Sequence, residues 1–175
     1  MKKIIPALLI SMVSVGAMAA DGTITFNGDI KENSCKLDSA AAGALNDKIV
    51  PLANANANSF RIAGDVAGST PFKISVSGCD MQKVKTSFEP GGQVDPVTGA
   101  LKLGTRTDLQ LQILNTDGQI INLTTGANNT EYVTLSGDGA TKSAELNYFA
   151  RYVSLKPTVA AGIVTTSVVY SMNYQ

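Results

Sequence analysis

Few residues in this chain have the type and spacing to do chemistry. Cys35 and Cys79 are its two thiols. Neither sits in a CxxC pair, and no histidine is present to depress a thiol pKa, so redox and nucleophilic roles are poorly supported. One structural disulfide is expected instead, because the N-terminal segment described below directs export to an oxidising compartment. The missing histidine also removes the commonest general base, the commonest zinc and copper ligand, and every Ser–His or Cys–His arrangement. The acids Asp108, Asp117, Asp138 and Glu145 are dispersed, without the pairing of a glycosidase or the spacing of a calcium loop. The run from Gly137 to Ser143 suggests a phosphate loop, but it lacks the glycine before Lys142 and a strand-to-helix context, so it reads as a surface turn. Asn122-Leu123-Thr124 and Asn128-Asn129-Thr130 match the glycosylation sequon, a pattern short enough to recur by chance. No catalytic residue, metal ligand or cofactor is predicted, and the chain is not expected to be an enzyme.

Composition points the same way. The 175 residues carry 14 Lys plus Arg against 14 Asp plus Glu, so there is no basic surplus to hold nucleic acid. At 44% hydrophobic and 16% charged, the chain is too apolar to be disordered. The length fits one domain with a sizeable core of its own.

Residues 1–19 have the three-part layout of a secretory signal. Lys2 and Lys3 precede an apolar run from Ile4 to Val15, and Ala17-Met18-Ala19 offers a cleavage site before Ala20. The apolar run is too short to span a bilayer. Cleavage removes two lysines and no acid, leaving a small acidic surplus.

Beyond Ala20 the dominant period is two. Ile24, Phe26, Gly28 and Ile30 form one row; Phe72, Ile74 and Val76 form a second. Leu109, Leu111 and Ile113 alternate with Gln110 and Gln112, and the turn signal Asn115-Thr116-Asp117-Gly118 leads to Ile120, Ile121 and Leu123. Leu146, Tyr148, Ala150 and Tyr152 form another row, and Val164, Thr166, Val168, Tyr170, Met172 and Tyr174 form the last. Turn-rich stretches such as Glu89-Pro90-Gly91-Gly92 and Ser136-Gly137-Asp138-Gly139 separate them. This pattern predicts an antiparallel β-sandwich. The alanines from Ala40 to Ala44 are compatible with one helical turn, and the Ala-Asn run from Ala53 to Asn58 reads as a polar loop or edge.

Two rows need partners that the pattern does not supply. The row from Ile24 to Ile30 lies close to the new N-terminus and would fray unless something held it. The last row closes on Tyr174, an arrangement expected to leave an uncovered edge, and such edges are pairing sites.

With these features the chain resembles the subunits of chaperone–usher pili, the type 1-like fimbriae. The resemblance rests on the stretch 20–35 (ADGTITFNGDIKENSC), on TPFKISVSGC ending at Cys79, on LNYFARY from Leu146, and on Gly162 and penultimate Tyr174. It implies an all-β, incomplete immunoglobulin-like sandwich that is completed by a donated strand. Residues 1–19 would be the signal peptide, 20–32 the N-terminal donor extension and 33–175 the pilin domain. The donor residues would be Ile24, Phe26, Gly28 and Ile30, with Glu32 breaking the apolar row. The acceptor edge would include Val168, Tyr170, Met172 and Tyr174, with Gly162 part of the C-terminal signature.

The implied function is that of a structural subunit, the major one of the shaft, polymerising head to tail into a surface fimbrium that mediates adhesion. Its implied partners are identical or related pilin subunits, a periplasmic chaperone and an outer-membrane usher, with no nucleic acid, and its route runs through the periplasm to the cell surface. The alternative is a minor, tip-associated subunit or a sugar-binding adhesin. The adhesins of such families carry an extra lectin domain, for which a chain of this length leaves no room. A copper–zinc dismutase, another exported sandwich, would need histidines that are missing.

Overall fold

A computed structural model describes residues 35–38, 40–41, 46–129 and 131–175. The signal at 1–19 and the donor row from Ile24 to Ile30 lie outside the described residues. Of the alanine stretch, Ala40 and Ala41 are described and are not helical.

The rows become strands where apolar alternation can be buried on one face. The described residues form β1 (Lys36–Leu37), β2 (Val66–Cys79), β3 (Lys83–Phe88), β4 (Leu101–Lys102) and β5 (Leu109–Leu114). They continue with β6 (Ile120–Ile121), β7 (Val133–Thr134), β8 (Lys142–Ser154) and β9 (Tyr170–Tyr174). The helical content of the described residues is two short 3-10 turns, Ala57–Ser59 and Gly139–Thr141. The second of these occupies the phosphate-loop lookalike, which is a turn leading from β7 into β8 and not the start of an α-helix.

The strands form two antiparallel sheets. The larger runs β1-β2-β8-β5-β4, with β6 on β5; the smaller runs β7-β3-β9. The long β2–β8 ladder sets Phe72 opposite Tyr148 and Ile74 opposite Leu146, so the inward rows of both strands share one face. Ladder bonds alone do not fix that register. A one-residue slip would turn every one of these side chains to the outside. The ladder breaks between Ala67 and Thr70 at Gly68. Gly68 has φ +65°, and a Cβ there would stand 2.7 Å from the Tyr152 ring, so both conformation and space require glycine.

Tyr148 joins the two layers. Its ring stacks on Phe72 at 5.4 Å between centroids and meets Phe88 of the smaller sheet edge-on at 5.3 Å. Cys35 and Cys79 form the expected disulfide, tying the start of the domain to the end of β2. Their separation of 44 positions corresponds, in the chain-entropy account, to about 4 kcal/mol.

Gln110 alternates with the apolar row of β5, yet only 3% of it is exposed. Its amide donates to Asp95 Oδ2 at 3.0 Å and its carbonyl accepts from Thr98 Oγ1 at 2.9 Å. The loop carrying Asp95 and Thr98 folds over that face, which strand alternation does not reveal.

Two outcomes are expected from this packing. Cys35→Ser should lower the yield of folded protein and its protease resistance in an oxidising compartment; unchanged values for both would remove the bridge from the stabilising set. The Tyr148 hydroxyl is buried without a partner among the described residues. Tyr148→Phe should therefore leave the urea midpoint unchanged or raise it, whereas Tyr148→Ala should cost about 3–5 kcal/mol.

Candidate functional site

A large groove of about 1380 Å³ opens along one side of the sandwich. Its floor is the inner face of the larger sheet, with Ile74 of β2, Leu111 and Ile113 of β5, and Tyr152 of β8. One lip is formed by residues 46–57 and the other by 159–174.

The second lip is the last alternating row of the sequence. Val164, Thr166, Val168, Tyr170, Met172 and Tyr174 are half-buried, while the residues between them are exposed. Tyr170–Tyr174 pair with β3, from Phe88↔Tyr170 to Val84↔Tyr174. The ladder extends one bond further, Glu89 N–H to the Val169 carbonyl at 2.8 Å, and then stops. Pro90 follows and has no N–H to donate. Val168 was expected within the final strand but precedes its ladder for this reason. It still faces the groove, as do Tyr170, Met172 and Tyr174. Gly162 lies at the groove's other end, where a Cβ would come 3.6 Å from Arg106 Nη1.

What distinguishes the lips is the state of their backbones. Among the described residues, no hydrogen bond joins the main chain of 161–168, or of 47–52, to any neighbour. Both segments border the apolar floor and both leave N–H and C=O groups unpaired, a situation that folded proteins avoid within their cores. The Thr166 and Tyr174 hydroxyls are also buried with no partner.

Side chains at the two ends hold these lips in place. At one end Asp38, on the turn after β1, accepts from Lys48 Nζ at 2.8 Å and Asn46 Nδ2 at 3.0 Å through one oxygen. Its other oxygen accepts from Ser75 N–H of β2 at 2.9 Å. The Tyr170 hydroxyl crosses to the Asn46 carbonyl at 3.0 Å, linking the lips. At the other end Arg106 pairs with Asp108 through two bonds of 3.0 and 2.7 Å. Arg106 Nη2 also donates to the Ala160 carbonyl at 2.6 Å, and Asp108 accepts the Ala160 N–H at 2.9 Å.

Sequence reading identified one lip only. The segment 46–57 was read in part as a polar loop, although the short apolar run Ile49-Val50-Pro51-Leu52 beside it was an available signal. Asp108 stands among the dispersed acids of the sequence, and no local pattern marks Arg106.

A two-layer sandwich with an apolar groove between two lips left unpaired among the described residues is an incomplete immunoglobulin-like domain. The family model for FimA, "Type-1 fimbrial protein, A", matches residues 52–175. The chain is 38% identical over 177 residues to "Major fimbrial subunit SMF-1" of Stenotrophomonas maltophilia, covering 95% of this chain and 99% of that protein. It is 32% identical over 180 residues to "F17 fimbrial protein" of Escherichia coli, covering 96% and 95%. Among solved structures, a chaperone–usher pilus subunit superposes with TM-score 0.61 at 19% identity, covering 89% of this chain and 96% of that one. The P pilus rod subunit PapA gives 0.60 at 19% identity, covering 81% and 99%. This chain belongs to the type-1 fimbrial protein family.

The clips carry a pH dependence. Burial raises the Asp38 carboxyl, but the bonds from Lys48, Ser75 and Asn46 outweigh it and leave the pKa below the ordinary value. Burial likewise raises Asp108, and the Ala160 N–H and Arg106 outweigh it. A depressed folded pKa contributes stability that is complete above the unfolded value and lost as pH falls through the folded one. Urea midpoints should therefore decline below about pH 4. The decline should be shallower in Asp38→Asn and Asp108→Asn, and an identical slope in parent and variants would contradict the assignment.

Proposed function

We propose that this chain is the major shaft subunit of a surface fimbrium, built by donor-strand exchange. The observation that carries this reading is the pair of unpaired lips flanking an apolar floor, a site that takes an extended segment rather than a small molecule. Main-chain bonds to both lips would supply affinity, and alternate side chains would fill the floor. The donor is the row Ile24, Phe26, Gly28 and Ile30 of the next subunit. Burying Ile24, Phe26 and Ile30 is worth roughly 1.5–3 kcal/mol each, so about 5–9 kcal/mol before ordering costs. Gly28, with no side chain, suits a shallow position where the backbone comes close to the floor. The acceptor edge is Gly162, Val168, Tyr170, Met172 and Tyr174.

Donor and acceptor surfaces differ, so the contact is head to tail and leads to an open filament. The domain organisation follows as 1–19 for export, 20–32 for donation and 33–175 for the sandwich. Before its successor arrives, the groove is held by a periplasmic chaperone and delivered to an outer-membrane usher. The full-length similarity to a major fimbrial subunit favours the shaft over the tip.

Gly28→Arg and Phe26→Asp should leave the subunit foldable with a chaperone yet abolish polymerisation. Electron microscopy of surface fibres reads the outcome, and fibres of parental length from either variant would sink the donor assignment.

A further inference from the structure

Both groove lips keep their place beside the floor without a ladder, and this needs a cause. Residues 161–168 and 47–52 have no main-chain hydrogen bond among the described residues. A chain with free backbone groups beside water would ordinarily sample many conformations. Yet in 164–174 successive residues keep strict alternation between the groove and the outside. Side chains anchor each lip where its ladder is absent. Ala160 is held at both backbone groups, its carbonyl by Arg106 Nη2 at 2.6 Å and its N–H by Asp108 Oδ2 at 2.9 Å. Those are the two bonds that a neighbouring strand would make. The Arg106–Asp108 pair is itself bidentate, with both side chains only 17% exposed, which sets it apart from a loose surface ion pair. On the opposite lip Asp38 gathers Asn46 and Lys48 onto the Ser75 N–H of β2.

We infer that the Arg106–Asp108 pair and Asp38 are positioning residues for strand uptake: each stands in for a missing strand at one end of one lip and holds that lip extended and spaced for an incoming segment. The inference rests on the strand-accepting reading above and adds how the groove keeps its shape. The Arg106–Asp108 pair governs the 159–168 lip and Asp38 the 46–52 lip, so the effects of removing them are local. By contrast, the Lys73–Glu145 pair bridges β2 and β8, where a ladder already sets the spacing.

The test uses the full chain with its disulfide intact and a synthetic peptide of residues 20–32. In the parent, amide order parameters across 161–168 should lie in the rigid range, about 0.85, despite the absent ladder. Arg106→Gln and Asp108→Ala should drop them below about 0.6 on that lip alone. Asp38→Ala should do the same on 47–52 alone. Each variant should slow peptide uptake by about tenfold or more, the scale of one or two charge-assisted bonds. Lys73→Gln should change neither quantity. If the parent lip is already mobile, or Arg106→Gln leaves it rigid and uptake unchanged, the inference fails. A parent that does not take up the peptide would overturn the strand-accepting reading, while the order parameters would still decide the clips. Should Asp38→Ala fail to fold, Arg106→Gln, on a surface loop, decides the matter.

Discussion

Unpaired main-chain groups beside an apolar floor are the constraint on which the rest of this structure depends. A buried donor or acceptor left without a partner costs about 1–3 kcal/mol, so a fold keeps such groups wet or finds them a neighbour. Here both lips of the groove face the gap between them. One extended segment would satisfy both lips and cover the floor together. No compact ligand does so, because no small molecule offers a repeating row of donors and acceptors on two sides. Binding of this kind would need no histidine, metal or nucleophile.

An open groove has to be carried by a framework that does not depend on it. The larger sheet provides that framework: β2 and β8 are 14 and 13 residues long and pair along most of their length. The disulfide anchors one end of β2, and Tyr148 packs the smaller sheet against the larger through Phe88. Among the described residues the smaller sheet has three strands, and β9 is one of its edges. Stability is thus concentrated on one side of the sandwich and the unmet bonding on the other. An exposed edge invites indiscriminate pairing. The outward residues Thr165, Ser167, Ser171 and Asn173 keep much of this one polar, which limits contact to a segment that can also fill the floor.

Much of this was legible beforehand. The inward rows of β2, β5, β8 and β9 follow from alternation, since side chains at i and i+2 share a face whatever the strand pairs with. The turn at Asn115–Gly118 was legible because Asn115 Oδ1 can cap its own loop, as it does by accepting from Asp117 and Gln119. The burial of Gln110 was not legible because a loop, not a strand, covers it. The lip at 46–57 and the Arg106–Asp108 clip were invisible for a related reason. Their partners lie far along the chain, Tyr170 for Asn46 and Ala160 for Asp108, and no local pattern records such contacts.

By itself the sequence determined which residues are apolar and on which face, and the single pair of thiols. It also set the last alternating row, whose side chains had to point into something. The tertiary structure alone decided which edges remain unpaired, what anchors them and how wide the gap between them is. The physical reason is that main-chain hydrogen bonds are alike for almost every residue type. Alternation tells a strand which way to face, but it is the meeting of distant segments in space that determines whether a neighbour is there.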